Sequence, residues 1–304
     1  MATTLKDVAK EAGVALSTAS RVLQGDPHPM ISEGTRERVL AVARRLDYRR
    51  NVHARNLRLG RSEALGLLVY DLDRGLSLSR LRAAERVMAA KGYRSVLCDA
   101  AGRLEVEADG IKEMVGGLVD GVMVLSASGE GIVESLALLV ERGVPLVTFE
   151  PFEALPADCV AIDLESGGYQ AARHLLELGH RRIGAVLGTA GRATRERLEG
   201  YRRAMREFDC ELDEALLEPV VEGTGATVYD RGYVATQRLL ARRPLPTALL
   251  CNNDEVAIAA IKAMSERGLR VPEDLAVVGF DDIPVATYLS VPLTTLAQPV
   301  TEQA

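Results

Sequence analysis

The sequence predicts an α/β protein with a small all-α head and a two-lobed body of parallel sheets. Three observations support this fold class. Apolar residues recur at helical spacing in the first 48 positions, short apolar runs alternate with amphipathic stretches from Ala64 onward, and positive charge is concentrated before position 61. A length of 304 residues is about twice that of a usual domain, so more than one domain is expected.

Composition excludes several classes of protein. With 47% hydrophobic and 26% charged residues, the chain is neither disordered nor collagen-like. Its apolar runs are far shorter than the roughly 18 residues of a membrane span, and residues 1–14 carry charges where a signal peptide would be apolar. We therefore expect a cytoplasmic protein without membrane contact. The cysteines are widely spaced, indicate neither a zinc site nor a redox motif, and are expected to be reduced core residues: Cys98, Cys159, Cys210 and Cys251.

Charge distinguishes the head from the rest of the chain. Residues 1–60 hold eleven Lys and Arg against six Asp and Glu, a net charge of +5, whereas the whole chain carries −6, which leaves −11 for the remainder. A basic head on an acidic body indicates a polyanionic partner for the head. The alternative is an ordinary solvated charged face.

The head is predicted to contain three short helices. The first has apolar residues at i, i+3, i+4 and i+7 from Leu5 to Ala12, a capping box at Thr4-x-x-Asp7, and a stop at Gly13. The third is capped by Ser32. In the second, Ala19, Val22 and Leu23 form the inward stripe, which leaves four residues on or near the outer face: Leu16, Ser17, Thr18 and Arg21.

Two helices joined by a tight turn with Gly13 are typical of a helix-turn-helix, whose second helix enters the major groove of DNA. The alternative is that any three amphipathic helices give such stripes. The segment from Thr4 to Leu23, followed by Thr35-Arg36-Glu37-Arg38-Val39 and Leu46-Asp47-Tyr48, resembles the DNA-binding head of the LacI family of bacterial transcription repressors.

This resemblance implies that Leu16, Ser17 and Arg21 read base edges, with Thr4 and Thr18 as further DNA-binding residues. The chemistry fits: Arg21 can donate two hydrogen bonds to guanine, Ser17 can contact any base, and Leu16 can contact a thymine methyl. One departure is Ala15, where the family usually has Ser. Loss of that cap costs on the order of 1 kcal/mol.

The segment Val52-His53-Ala54-Arg55-Asn56-Leu57 resembles the hinge helix of the same family. The resemblance implies that two such helices pair on DNA and that Leu57 wedges into the minor groove. The resemblance also implies that Ala54 lies where the two helices approach closely and that Arg55 lies near phosphates. The alternative is that Leu57 is an ordinary linker residue packed on the body.

The body alternates predicted strands and helices, which indicates parallel sheets covered on both sides. The strand-like run Cys159 to Asp163 is expected to cross into a second sheet. Two such lobes with a cleft form the periplasmic-binding-protein architecture, which the LacI family uses as its effector domain. The resemblance continues through several motifs: Leu178-Gly179-His180-Arg181-Arg182-Ile183, Asn253-Asp254, Val278-Gly279-Phe280-Asp281-Asp282 and Pro292-Leu293-Thr294-Thr295.

We therefore expect three segments: a helix-turn-helix head (1–48), a hinge helix and linker (49–62), and a two-lobed effector-binding and dimerisation domain (63–304). The last is expected to be shortened at its C-terminus, because the family normally adds a further helix and strand.

Ligands of parallel α/β sheets bind beyond the carboxyl ends of the strands. Arg197 and Asp281 match family positions that hydrogen-bond sugar or nucleobase groups, and a guanidinium with a carboxylate suits vicinal hydroxyls. The alternative for Arg197 is an ion pair with Glu196 or Glu199. The candidate effector-binding residues are Tyr70, Asp71, Phe149, Arg197, Asn253 and Asp281.

The sequence also argues against two other classes of protein, enzymes and solute-binding proteins. No HExxH, GxSxG, P-loop or GxGxxG motif occurs, and His28, His53, His174 and His180 lack metal-ligand spacing, so neither an enzyme nor a cofactor or metal is expected. His180 is expected to cap a helix end. A solute-binding protein is the rival from another class, but it would have to be exported and would not carry a helix-turn-helix.

The predicted function is that of a homodimeric repressor on a near-palindromic operator, controlled by a sugar-like effector. The alternative is an effector-independent regulator with a degenerate cleft, because Asp73-Arg74-Gly75-Leu76 replaces the Asn-Pro-Phe segment common in the family.

Overall fold

The computed structural model describes residues 3–27, 30–48, 61–127, 129–189, 191–221 and 227–304. The chain divides into two compact units, Met1–Ser62 and Glu63–Ala304. The first contains three helices at the predicted positions: α1 (Leu5–Glu11), α2 (Leu16–Leu23) and α3 (Glu33–Arg45).

Local capping explains where these helices begin. The predicted capping box is present, since the Asp7 N–H donates to the Thr4 hydroxyl and the Thr4 N–H donates to the Asp7 carboxylate. Ser32 accepts from the backbone of α3, whereas Ala15 gives α2 no side-chain cap. The inward stripes of the helices meet in one small apolar cluster: Val8, Ala9, Ala12, Ala19, Val22, Val39, Val42 and Ala43.

The second unit contains two parallel sheets. The first has the order β2-β1-β3-β4-β5 and the second β7-β6-β8-β9. We call each sheet with its covering helices a lobe. The strands are β1 (Ala64–Val69), β2 (Arg94–Asp99), β3 (Gly121–Val124), β4 (Leu146–Thr148), β5 (Asp158–Cys159), β6 (Ile183–Gly188), β7 (Leu217–Val220), β8 (Ala248–Cys251) and β9 (Ala276–Val278).

Helices cover both faces of each sheet. The helices are α4 (Gly75–Ala90), α5 (Leu104–Glu113) and α6 (Val133–Glu141) in the first lobe, then α7 (Leu164–Glu177), α8 (Arg192–Glu207), α9 (Val228–Leu239), α10 (Asp254–Ser265) and α11 (Val300–Gln303). In β6, Ala185 and Leu187 face the cluster formed with α7 and α8, and Val186 faces the one formed with α9 and α10. This alternation is the period of two expected for a strand buried on both sides.

Helices α7 and α8 cross at unusually short range because glycines occupy the contact. A Cβ atom on Gly200 would lie 2.1 Å from the carbonyl oxygen of Glu165, and one on Gly168 would lie 2.3 Å from the carbonyl oxygen of Arg197. The two backbones are therefore in direct contact, and the crossing determines the position of the α8 residues.

The last residues connect the second lobe back to the first. Thr294 and Ala297 form isolated parallel bridges with Val278 and Asp281. After this, α11 packs on α4, and the Gln303 amide donates to the carbonyl oxygen of Val160 at 2.6 Å. The first lobe is thus completed by residues that follow the entire second lobe in sequence.

Three expectations needed correction. The expected strand from Cys159 to Asp163 is shorter than predicted: β5 covers only Asp158–Cys159 at the edge of the first sheet, and Asp163 is already the N-cap of α7. Strand β7 was not predicted. Cys159 is exposed, so its assignment to the core is wrong. His180 closes the end of α7 as predicted, since its N–H donates to the carbonyl oxygen of Leu175 at 3.1 Å, and its ring contacts the Thr247 hydroxyl at 2.9 Å.

Candidate functional site

The outer face of α2 presents the predicted base-reading residues. Leu16 is 52% exposed although it is a large apolar residue, and Ser17 and Arg21 are also exposed; Thr18 is half-buried. Ala19 and Val22 face the head core, as the helical period requires. An exposed leucine beside a hydroxyl and a guanidinium forms a surface with the hydrogen-bonding and apolar groups that contact base edges.

Arg21 lies near one acidic group, with its Nε 3.9 Å from Asp26. The contact is loose and exposed, so it leaves the guanidinium available. The Thr4 hydroxyl is exposed at the N-terminus of α1, where it also serves as the cap. The predicted hinge residues Ala54, Arg55 and Leu57 lie outside the described residues.

The second candidate site lies where the strand order of each sheet reverses. In the first sheet β1 lies between β2 and β3, and in the second β6 lies between β7 and β8. Ligands of such sheets bind at these switch points, beyond the carboxyl ends of the strands. Tyr70 and Asp71 follow β1, Asn253 follows β8, and Arg197 lies on the helix after β6.

Arg197 is the best-defined residue of this cleft. It is 6% exposed, and its guanidinium carbon lies 4.1 Å from the centroid of the Phe280 ring. Its Nε is buried without a hydrogen-bond partner in the described part of the chain. Glu196 pairs with Arg192 and Glu199 with Arg206, so neither holds Arg197.

Asp281 follows β9 and lies close enough to Arg197 to sense its charge. Burial raises the pKa of the Asp281 carboxyl to about 7, and Arg197 opposes this rise. Its backbone has a φ of +114°, a strained conformation for a residue with a side chain. The Asp281 N–H donates to the carbonyl oxygen of Leu296 at 2.8 Å, which holds the strained residue in place.

Sequence reasoning missed the residues that connect the lobes at this point. Arg80 on α4 donates to the Leu125 carbonyl oxygen at 2.9 Å and to the Gln298 amide oxygen at 3.1 Å. The Gln298 amide nitrogen donates in turn to Asp281 at 2.5 Å. Burial lowers the pKa of Arg80, and Asp281 opposes this shift. A hydrogen-bonded chain therefore runs from the first lobe to Asp281 in the second.

The other predicted cleft residues have structural partners as well. Phe149 is 3% exposed, and the guanidinium carbon of Arg80 lies 5.7 Å from its ring centroid. Asn253 caps α10 by accepting from the Val256 N–H at 3.0 Å. The Tyr70 hydroxyl donates to the carbonyl oxygen of Gly102 at 2.7 Å.

A cavity of about 430 Å³ opens between the two lobes, and Tyr70 and Asp71 are the predicted effector residues that line it. Its volume is within the range of small-molecule sites. The lining residues of the first lobe are Tyr70, Asp71, Asp73, Arg74, Ala101 and Gly102, and those of the second are Thr227, Val228, Tyr229 and Arg231.

The described residues offer no group of three or more His, Cys, Asp or Glu arranged to hold a metal ion. Among the same residues, no helix has both the length and the apolar character needed to cross a membrane.

Comparison with known families and proteins gives a consistent result over the whole chain. Residues 4–51 match the model of bacterial regulatory proteins of the lacI family, and residues 172–304 match that of a periplasmic binding protein-like domain. The transcriptional repressor PurR of Haemophilus influenzae (strain PittEE) is 33% identical over 297 residues, which cover 97% of this chain and 86% of that protein. PurR of Pectobacterium carotovorum subsp. carotovorum (strain PC1) is 34% identical, with 97% and 85% covered.

Solved structures agree with this result. A transcriptional regulator CelR–cellobiose complex matches with a TM-score of 0.71 and 32% identity, covering 99% of this chain and 89% of that one. The lac repressor dimer bound to operator and the anti-inducer ONPF matches with a TM-score of 0.83 and 26% identity, with the same coverage. The helical head, the two parallel sheets and the match along nearly the full length together show that the chain belongs to the LacI family of bacterial regulatory proteins.

Proposed function

We propose that the protein is a sequence-specific transcription repressor that binds a near-palindromic operator as a homodimer. The observation that carries this proposal is the exposed outer face of α2, where Leu16, Ser17 and Arg21 project from a helix whose other face is buried. The likeness to a lac repressor dimer bound to operator supports it. Such a protein acts in the cytoplasm, where bacterial DNA lies.

The proposed organisation has a DNA-binding head (1–48), a hinge helix and linker (49–62), and an effector-binding and dimerisation body (63–304). The boundary between the compact units after Ser62 supports this division. A two-fold symmetric dimer places one head on each half-site of a palindrome.

The proposed effector is a small hydroxylated molecule, of the sugar type, bound in the cleft between the lobes. The Nε of Arg197 is a buried donor without a hydrogen-bond partner among the described residues, and Asp281 offers a carboxyl group close enough to sense its charge. Unsatisfied buried polar atoms are costly, so they favour a cleft that takes a ligand over a degenerate one. Tyr70 and Tyr229 line the cavity and supply the aromatic surface for a sugar ring in a chain without tryptophan, because the Phe149 and Phe280 rings are buried beneath Arg80 and Arg197.

Effector binding is proposed to change the angle between the lobes and so the pairing of the hinge helices. A ligand changes DNA affinity only if it binds one arrangement of the lobes more tightly than the other, and the ratio of those two ligand affinities limits the size of the change. The chain Arg80–Gln298–Asp281 connects the lobes beside the proposed ligand, so it can transmit that difference.

DNA specificity is tested by selecting bound duplexes from a random pool with the full chain and with Leu57→Ala. We expect a palindromic consensus, and for Leu57→Ala at least a tenfold loss of operator affinity with little change on random DNA, because a minor-groove wedge acts only at a site that can be kinked. Leu178→Ala, which truncates an exposed leucine of the body, is the control and should change neither affinity. An equal loss of Leu57→Ala on both DNAs, or no consensus, would contradict the proposal.

Effector control is tested by measuring operator affinity during titration with a panel of sugars, cellobiose included. Arg197→Ala should abolish the response of the operator complex while leaving operator affinity in the absence of sugar unchanged, because Arg197 lies in the body and not in the head. Arg195→Ala removes an exposed arginine of the same helix and should retain the response. A normal response of Arg197→Ala would remove this residue from the effector site.

A further inference from the structure

The cavity between the lobes is built from other residues than the surroundings of Arg197 and Asp281, which we call the inner cleft. Tyr70 lines the cavity from the first lobe and Tyr229 lines it from the second, whereas Arg197 and Asp281 are not among its lining residues. Both regions belong to the proposed effector site. The arrangement of the two regions therefore limits the size of the effector.

The two tyrosines are held in place by the elements that carry them. The Tyr70 hydroxyl donates to the carbonyl oxygen of Gly102 at 2.7 Å, which fixes the side chain just after β1. Tyr229 lies in the first turn of α9, which begins with a capping box of Thr227 and Asp230, and it remains 37% exposed. Aromatic surfaces that are already in position bind the apolar face of a sugar ring with little loss of side-chain freedom.

Each region also contains an arginine with unused hydrogen-bonding capacity. The Nε of Arg197 in the inner cleft and the Nε of Arg74 at the cavity are both buried and have no hydrogen-bond partner among the described residues. Arg74 forms an ion pair with Asp71, but the Nε lies 3.7 Å from that carboxylate, which is too far for a hydrogen bond. Buried donors without partners are costly, so each region favours a ligand that carries hydroxyl groups.

The first turn of α10 connects the two regions. Phe280, which packs against Arg197, accepts at its carbonyl oxygen from the Asp254 N–H at 2.9 Å. The next residue, Glu255, is 1% exposed and accepts from the Gly75 N–H at 2.7 Å. Gly75 is the first residue of α4 and directly follows the arginine that lines the cavity. A continuous series of contacts therefore leads from the inner cleft to the cavity.

The same two carboxyl groups act on both regions. Burial raises the pKa of the Tyr229 hydroxyl, and the charges of Glu255 and Asp254 add to this rise. Burial is also the main cause of the raised pKa of Asp281, to which Glu255 and Asp254 contribute. The cavity and the inner cleft are thus neighbours. Because several residues lie along the path between them, a single pyranose ring is too small to contact the residues of both.

We propose that the effector has two linked rings, as a disaccharide has, with one ring in the inner cleft and the other against Tyr70 and Tyr229. The proposal rests on the proposed effector site and specifies the size of its ligand. Hydroxyl groups of the inner ring pair with Arg197 and Asp281, and those of the outer ring pair with Arg74. Since each tyrosine belongs to a different lobe, the outer ring contacts both lobes.

The test compares matched sugars by calorimetry on the full chain: D-glucose with cellobiose and maltose, and D-galactose with lactose. At least one disaccharide should bind about tenfold more tightly than its monosaccharide or better, because the second ring gains aromatic contacts that a single ring does not reach. A monosaccharide that binds as tightly as its disaccharide would overturn the proposal and leave the sugar-binding cleft intact.

Variants locate the second ring. Tyr229→Ala should reduce the ratio of disaccharide to monosaccharide affinity to about one, whereas Tyr229→Phe, the matched control, keeps the aromatic ring and should preserve the ratio. Arg197→Ala should weaken the binding of both sugars. A ratio that persists in Tyr229→Ala would overturn the assignment of the outer ring. If no sugar binds, the proposal fails, and if the panel of sugars also leaves operator affinity unchanged, the proposed effector control fails with it.

Discussion

Replacing Arg21 with alanine is expected to weaken binding to the selected operator about 10- to 100-fold, with only a small effect on random DNA. A guanidinium that donates two hydrogen bonds to a guanine contributes about 1–3 kcal/mol of discrimination. Arg21 is exposed on the outer face of α2, and its contact with Asp26 is loose enough to be exchanged for a base. The loss should therefore fall on sequence reading and not on general attraction to phosphates.

The measurement is fluorescence anisotropy with operator and scrambled duplexes at several salt concentrations. Arg45→Ala provides the control, because Arg45 is an exposed arginine of the same head that pairs with Glu11. It should affect the two duplexes equally, as the loss of a general positive charge does. If Arg21→Ala also weakened both duplexes equally, Arg21 would be a phosphate contact, and the orientation of α2 on DNA would need revision.

The second large effect is expected at the crossing of α7 and α8. Gly200→Ala should lower the free energy of unfolding by about 3 kcal/mol, because the added Cβ would overlap the backbone of Glu165 and Tyr169 and the helices would have to separate. In a domain of this size this corresponds to a decrease of about 6–12 °C in the thermal midpoint. Since Arg197 lies on α8, the variant should also weaken effector binding.

Thermal unfolding followed by circular dichroism measures this effect. Gly116→Ala is the matched control, because within the described residues no heavy atom beyond Gly116 and its chain neighbours lies within 4 Å of the Cβ position, and it should leave the midpoint unchanged or slightly higher. A loss in Gly200→Ala no larger than in Gly116→Ala would mean that the two helices can separate at little cost, and the crossing would then not determine the position of Arg197.

The head could be predicted from sequence because its signals are local. The Thr4 and Asp7 capping box and the Ser32 cap each act within one turn of helix, so their spacing along the chain is sufficient to find them. The lack of a side-chain cap at Ala15 was predicted from the comparison with the family's usual Ser, and α2 has no such cap.

The cleft was only partly predictable. Strand ends are visible in the sequence, and parallel sheets bring such ends together, which explains the placement of Tyr70, Asn253 and Arg197. Arg80 and Glu255 lie inside or at the start of helices without any motif, and their partners are distant in the chain: 218 residues separate Arg80 from Gln298, and 180 separate Gly75 from Glu255. No local pattern encodes such contacts.

The misassigned strands have a physical explanation as well. Strand β7 contains Pro219 and the charged Glu218, so its sequence lacks the apolar run by which a strand is recognised. Proline is tolerated there because β7 is an edge strand. Strand β5 is also at an edge and only two residues long. An edge strand pairs with only one neighbouring strand, so its sequence needs fewer apolar residues than that of a strand buried between two others.

The return of the final residues to the first lobe has a consequence for biosynthesis. The ribosome completes most of the first lobe before the second, yet Gln298, which holds Arg80, and Gln303, which bonds to Val160, are made only after the whole second lobe. Domains usually fold as units in the order in which they emerge. Here the first lobe to emerge retains an incomplete surface along α4 until residues 298–303 have been translated, so the nascent chain exposes that surface during synthesis of the entire second lobe.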